Sequence, residues 1–215
     1  MNTIILNGSP KVNPKESNSR IFADEFVKNM KSPCEIKRIA KENPKELAEY
    51  VRDFNTIIFI MPLYIHAMPG IVMKFIEELK PSDSEGKYIG FIIQAGFMET
   101  SQERFVEHYL KDLARQLNYN YLGTVSKGEA AAVYMYPKMF KKVLKLISDL
   151  GTAYEETHAF DKKIVTKLGI PYEISKSTLF ILRIVVKLGL ADIGWHSELK
   201  KNNAFDKRLD KPFLN

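Results

Sequence analysis

The sequence predicts an α/β fold in which helices cover both faces of a doubly wound, five-stranded parallel sheet. Apolar runs of strand length alternate with segments of helical period, and short loops join them. The runs "TIIFIM" and "YIGFIIQ" are almost continuously apolar. Such strands are typical of a parallel sheet, because both of its faces are covered by helices.

Five strands are predicted within residues 1–130. They are Thr3–Leu6, Cys34–Ile39, Thr56–Met61, Tyr88–Gln94 and Tyr121–Ser126. Five strands in this length fit the strand order 2-1-3-4-5 better than the larger, two-halved dinucleotide-binding sheet. The sequence therefore predicts a binding edge at the carboxyl ends of the strands, where the order of the strands switches.

Four helices are predicted between these strands. They are Ser19–Met30, Pro44–Arg52, Pro69–Leu79 and Ser101–Leu117. Thr100 and Glu103 have the spacing of a capping box at the start of the last helix, and an apolar stripe follows them.

The strand–helix alternation ends after Gly128. Three further helical segments are predicted: Pro137–Leu150, which closes at Gly151, then Thr152–Leu168 and Ile174–Leu190. We therefore predict a sheet domain over residues 1–130. A helical extension over residues 131–215 would pack on that domain or at a dimer interface.

Composition narrows the possible functions. The chain has 215 residues, a net charge of +6 and a pI near 9.2, which favours an anionic ligand or surface but is too weak to indicate nucleic acid. Cys34 is the only cysteine, which excludes an intramolecular disulfide, a thiolate zinc site and a cysteine-ligated iron–sulfur cluster. No signal peptide precedes Ile4, so a cytoplasmic location is predicted.

The first loop, in "IILNGSPKVNPKESNSRIF", carries polar groups from a buried strand to the start of a helix. Ser9, Ser17 and Ser19 offer hydroxyl groups, Asn18 offers an amide and Lys11 a positive charge. Unpaired N–H groups at a helix start suit a phosphate. The glycine patterns of P-loop and dinucleotide sites are absent from the sequence. Alternatively, Ser17 or Asn18 only caps the helix and the loop is solvated.

The third loop places apolar and aromatic groups at a strand end. Pro62 ends the strand, Pro69 begins the next helix, and the residues between them include Leu63, Tyr64, Ile65 and His66. This composition suits a flat aromatic ligand, although the loop could instead fold back onto the core. His66 is a candidate acid or base, with a hydrogen-bonded structural role as the alternative.

The fourth loop follows the strand Tyr88–Gln94. Gln94, Ala95, Gly96 and Phe97 are placed for backbone contacts to a ring edge, because glycine lets a backbone approach a ligand closely. The alternative is a turn that simply requires glycine.

Together, "NGSPK…SNSR", "PLYIHAMPGIVMKFIEEL" and "QAGF" resemble the flavodoxin-like NADPH-dependent FMN reductases and related NAD(P)H:quinone oxidoreductases. The resemblance covers residues 1–130. It implies that the first loop holds the FMN phosphate, that the third borders the isoalloxazine ring and that the fourth contacts the ring edge. Residues 1–130 would then form a flavodoxin-like FMN-binding domain.

The resemblance also implies an activity: NAD(P)H reduces bound FMN, which passes electrons to a small acceptor such as a flavin, quinone or nitro compound. The cofactor carries this chemistry, so no catalytic residue and no metal ligand is predicted. Two features depart from the group. The single cysteine excludes the cluster of its iron–sulfur flavoproteins, and the region after Gly128 does not match the compact reductases.

Two alternatives remain open from the sequence. A non-enzymatic FMN electron carrier is one, although such carriers tend to be shorter and acidic. The other is a membrane-surface or partner-binding module using "STLFILRIVVKLGLADIGW", which is too short to span a bilayer and is interrupted by Arg183 and Lys187 on one face. The apolar helix around Phe180–Leu190 also predicts a homodimer, since it exceeds what the sheet needs for cover.

Overall fold

The computed structural model describes residues 2–211 and contains one five-stranded sheet. Its strands are β1 (Thr3–Asn7), β2 (Cys34–Arg38), β3 (Thr56–Pro62), β4 (Tyr88–Gln94) and β5 (Asn120–Lys127). All neighbouring strands are parallel, and their order is β2-β1-β3-β4-β5. The predicted flavodoxin-like fold is confirmed, and each predicted strand matches within one residue at either end.

Strand register brings the ends of β1, β3, β4 and β5 to one edge of the sheet. Asn7 at the end of β1 pairs with Ile60, and Pro62 at the end of β3 pairs with Gln94. Gln94 in turn pairs with Lys127, the last residue of β5. The loops that follow these strands therefore leave the sheet side by side.

Six of the described α-helices belong to the same unit as the sheet. They are α1 (Asn18–Val27), α2 (Pro44–Tyr50), α3 (Gly70–Ile76), α4 (Arg104–Gln116), α5 (Lys141–Thr157) and α6 (Lys162–Leu168). One apolar core contains residues of α2, α3 and α4, and Phe59 stacks on Phe91 within it. A second core contains residues of α1, α5 and α6, among them Phe26 and Tyr154. Helices thus cover both faces, as the apolar strands predict.

Contacts divide the chain into two compact units, Met1–Glu173 and Ile174–Asn215. The second unit contains α7 (Lys176–Lys187) and α8 (Ile193–Lys201). The predicted extension over residues 131–215 includes α5 and α6, which pack in the core of the first unit, and its last four residues lie outside those described. No helix within residues 2–211 is long and apolar enough to cross a membrane.

The predicted end of a helix at Gly151 is wrong. The helix α5 continues through Gly151 to Thr157. Glycine is needed there for a different reason. A Cβ at this position would overlap the carbonyl oxygen of Phe26 in α1. This glycine therefore marks a close crossing of α1 and α5.

The predicted capping box at Thr100 and Glu103 is also wrong. Thr100–Glu103 forms a 3-10 turn before α4, and the Thr100 hydroxyl donates to the Gly169 carbonyl at 2.6 Å. The backbone N–H of Thr100 donates to the Pro171 carbonyl at 3.1 Å. Because residues near Gly169 bind Thr100, the capping geometry does not form.

Glu103 is left fully buried at the start of α4, and neither carboxyl oxygen has a hydrogen bond of normal geometry. Burial raises the pKa of Glu103 to about 8. The Ser126 hydroxyl and the Lys127 ammonium group favour the ionised form and oppose this rise. The carboxyl group is therefore protonated in the folded protein at neutral pH.

Candidate functional site

A cavity of about 380 Å³ lies where the loops after β1, β3 and β4 meet. It brings together ten of the fourteen predicted site residues: Ser9, Lys11, Asn18, Ser19, Pro62, Leu63, Tyr64, Gln94, Ala95 and Gly96. The structure thus places the three predicted loops around one space.

A larger cavity, of about 840 Å³, lies elsewhere. Its lining includes Tyr88, Asn120 and Tyr121, at the amino ends of β4 and β5. Ligands of open parallel sheets bind outside the carboxyl ends of the strands. We therefore assign the candidate site to the smaller cavity, which also lies at the start of α1.

One end of this cavity is formed by the start of α1. Ser17 is the N-cap of the helix: its buried side-chain oxygen accepts a hydrogen bond from the Arg20 backbone N–H at 3.2 Å. Ser17 does not line the cavity, so of the two roles considered for it, the structure shows the helix cap. Asn18 and Ser19 do line it, at the helix terminus where backbone N–H groups favour an anion.

Among the described residues of the lining, Lys11 has the only charged side chain. Its ammonium nitrogen lies 4.0 Å from the centre of the Tyr134 ring. The charge is held over the ring by a cation–π contact, and no acidic side chain among the described lining residues neutralises it. The electrostatics of this end therefore favour an anionic ligand group.

Gln94 offers an unpaired polar atom at the end of β4. The residue is buried, and its side-chain N–H donates to the Ser19 hydroxyl at 2.7 Å. Its Oε1 atom is buried without a hydrogen-bond partner. Rotating the amide by half a turn would leave the NH2 group unpaired instead, so one end remains available in either orientation. Because Gln94 also lines the cavity, its unpaired atom is a candidate for a ligand contact.

The third loop ends in a tight two-residue turn. Tyr64 and Ala67 exchange two backbone hydrogen bonds, of 2.9 and 3.1 Å. Between them Ile65 and His66 have positive φ angles, of 48° and 64°. Such angles are unusual for a β-branched residue such as Ile65, which is 92% exposed at the tip. Tyr64, at the base of the turn, remains in the cavity lining.

His66 and Phe97 do not line the cavity. Their rings stack on each other with centres 5.4 Å apart, which connects the third and fourth loops. His66 instead borders an adjacent apolar cavity of about 340 Å³ that also contains Met73 and Phe105. His66 also hydrogen-bonds through its Nδ1 to the Gln102 carbonyl at 3.3 Å, as expected for a structural histidine. Ile65 does not line the cavity either.

In the fourth loop, Gly96 does not adopt a left-handed backbone, so the turn itself does not require glycine. A Cβ at Gly96 would lie 3.5 Å from that of Ala131, which also lines the cavity. The backbone N–H of Ala95 is already donated to the Lys127 carbonyl at 3.0 Å. Of the lining residues Ala95 and Gly96, it is therefore Gly96 whose N–H is the candidate for a backbone contact to a ligand.

The sequence did not predict the fourth wall of the cavity. This wall consists of Ala130, Ala131, Tyr134 and Met135, which follow β5. Asn18 holds it in place, since its side-chain NH2 donates to the Ala130 carbonyl at 2.6 Å and its Oδ1 accepts from the Tyr134 N–H at 2.9 Å. The wall forms turns without a helical or strand period, so no periodic signal marks it.

No protein-family model matches the sequence, and no curated protein matches it significantly. Solved structures do match its fold. An FMN-dependent NADH-azoreductase from Bacillus anthracis str. Ames Ancestor, in complex with FMN, is 13% identical with a TM-score of 0.56; the match covers 72% of this chain and 100% of that one.

Two further structures are similar. An NADPH-quinone reductase from P. pentosaceus is 16% identical with a TM-score of 0.54, covering 69% of this chain and 96% of that one. An NADH:FMN oxidoreductase in its apo form is 12% identical with a TM-score of 0.54, covering 82% of this chain and 92% of that one. At these identities the similarity establishes the fold.

Proposed function

We propose that this chain is an FMN-dependent oxidoreductase that takes electrons from NADH or NADPH and passes them to a small acceptor, such as a flavin, quinone or nitro compound. The cavity carries the proposal: it brings a helix start, a cation, an apolar wall and an unpaired buried amide group together around one space. The activities named for the three structural neighbours support it.

The residues present fit FMN. A phosphate at the start of α1 would be bound by Lys11, Ser9 and Ser19, together with the first N–H groups of the helix. Pro62, Leu63 and Tyr64 would lie along the ring, and the free end of the Gln94 amide would pair with a polar atom at the ring edge.

When bound, FMN supplies the redox chemistry, since it can accept a hydride from a reduced nicotinamide and release the electrons to a second substrate. The residues of the chain would bind the flavin and orient its ring. Burial raises the pKa of Tyr64, so its phenol stays a neutral hydrogen-bond donor at the mouth of the cavity. The apolar wall excludes water from one side of the site.

The first experiment identifies the chromophore and its reactivity. Purified protein is expected to be yellow, and the released chromophore is expected to be FMN. Adding NADH or NADPH without oxygen should bleach the bound flavin at a catalytic rate, and an added acceptor should restore its colour. Failure to bind FMN in a titration would overturn the proposal, whereas binding without reduction by either nicotinamide would indicate a non-enzymatic electron carrier.

Replacing Lys11 with methionine is expected to weaken FMN binding by about 10- to 100-fold, because a charge-assisted contact to the phosphate is lost. Lys15→Met is the matched control, since Lys15 lies in the same loop but is exposed and does not line the cavity. Fluorescence titration gives the dissociation constants. Equal FMN affinities in the two variants would show that Lys11 does not contact the phosphate.

Replacing Tyr64 with alanine is expected to change the rate of flavin reduction while lowering FMN affinity less than tenfold, because phosphate contacts dominate affinity. Tyr136→Ala is the control, since this exposed tyrosine lies outside the lining. Stopped-flow reduction and fluorescence titration separate the two effects. If Tyr64→Ala abolishes binding while Lys11→Met retains it, the assignment of the two ends is reversed.

The cytoplasmic location remains a proposal and is supported by the single cysteine.

A further inference from the structure

The helix α7 of the second unit has an uncovered apolar surface. None of its residues is buried. Six large side chains in and just after it are between 41% and 66% exposed: Leu179, Phe180, Ile181, Ile184, Val186 and Leu188. The helix α4 differs, because it buries its apolar stripe through Val106, Leu110 and Leu113. An exposed apolar surface of this kind usually marks an interaction site.

Positive charge accompanies this surface. Lys176, Arg183 and Lys187 are spaced seven and four residues apart, so they form one narrow stripe along α7, and the helix contains no acidic residue. The unit Ile174–Asn215 contains eight lysine and arginine residues against four aspartate and glutamate residues. It thus carries +4 of the chain's net charge of +6.

The charge and the apolar surface together indicate which kind of partner fits α7. A second copy meeting this face across a two-fold axis would bring the two positively charged stripes close together, with no acidic group of α7 between them. Nucleic acid would pair with the stripe but would leave the apolar side chains exposed. An anionic lipid surface matches both features, since its headgroups attract the cations and its acyl boundary covers the apolar side chains on one side of the stripe, which include Phe180 and Ile184.

We propose that α7 and the segment after it bind the surface of an anionic lipid bilayer. Phe180, Ile181 and Ile184 enter the acyl boundary, and Arg183 and Lys187 extend to the headgroups. Trp195, which is 65% exposed, lies in the same unit and has the amphipathic ring favoured at the lipid–water interface. This binding is peripheral, because no described helix can span a membrane. The proposal does not depend on the flavin site.

Vesicle co-sedimentation of the full chain tests this proposal. The expected result is binding to phosphatidylcholine vesicles that contain one third phosphatidylserine, weak binding to pure phosphatidylcholine, and loss of binding at high salt. Arg183→Gln with Lys187→Gln is expected to lower the partition coefficient roughly 30-fold, from the known attraction of each cation to an anionic surface. Phe180→Ser with Ile184→Ser is expected to lower it at least tenfold.

The matched control is Lys141→Gln with Lys142→Gln, which removes the same charge from exposed positions at the start of α5. It should retain vesicle binding. Circular dichroism confirms that each variant is folded. Absence of binding to the anionic vesicles, or binding that both α7 pairs leave unchanged, overturns the proposal. A dimer in light scattering that Phe180→Ser with Ile184→Ser dissociates, without vesicle binding, assigns the face to a second copy and also overturns it.

Discussion

Glutamine in place of Glu103 is expected to remove most of a loss of stability that we expect in the wild-type protein between about pH 4.5 and pH 8. The folded carboxyl has a pKa of about 8, against 4.5 for an ordinary glutamate. Below pH 4.5 the carboxyl group is protonated in both the folded and the unfolded state, so its ionisation does not change the free energy of unfolding. As the pH rises toward 8 the unfolded chain releases the proton first, so the free energy of unfolding falls by roughly 4–5 kcal/mol in total.

Urea unfolding at several pH values measures this effect. The wild-type protein should lose stability steeply with rising pH, while Glu103→Gln should show a much flatter profile. The absolute stability of the Glu103→Gln variant at low pH is less informative, because burying the polar atoms of the amide has a free-energy cost of its own. Glu156→Gln is the control, since Glu156 is exposed on α5 and its replacement should leave the slope unchanged. Parallel profiles for wild type and Glu103→Gln would contradict the burial of a protonated carboxyl.

Replacing Gly151 with alanine is expected to destabilise the protein by roughly 3 kcal/mol or more, because the new methyl group would overlap the Phe26 backbone and force α1 and α5 apart. The direction of the change distinguishes this contact from helix propensity, since replacing glycine with alanine in an ordinary exposed helix raises stability by about 1 kcal/mol. The start of α1 carries Asn18 and Ser19, so FMN affinity should fall together with stability.

Gly194→Ala in α8 is the matched control. No atom lies within 4 Å of the position that a Cβ would take there, and its replacement should leave stability unchanged or raise it slightly. Chemical unfolding of both variants gives the comparison. A Gly151→Ala protein as stable as wild type would show that α1 and α5 cross less closely than the structure indicates.

The sheet could be predicted from the sequence because its signals are local. Runs such as "TIIFIM" require cover on both faces whatever their partners are, and this alone indicates a parallel sheet. The three loops of the candidate site could be located for the same reason, since each follows directly from a strand end. The doubly wound strand order, β2-β1-β3-β4-β5, then determines which strand ends are neighbours.

The features that could not be predicted depend on contacts between distant residues. Gly151 has the sequence signature of a helix end, and only the position of Phe26 turns it into a crossing point. Glu103 has the spacing of a cap, but Thr100 hydrogen-bonds to Gly169 instead. The wall containing Tyr134 is held by Asn18, which is 116 residues away in the sequence, and no local pattern records such a contact.

The hydrogen bonds of Asn18 also determine when the cavity can form during synthesis. The ribosome adds Tyr134 long after Asn18, so a nascent chain that ends before Tyr134 has the three loops but an incomplete fourth wall. A ligand that needs all four walls binds only the completed unit, and its binding free energy is then added to the stability of that unit. Supply of the ligand to cells would in this way raise the proportion of newly made chains that escape degradation.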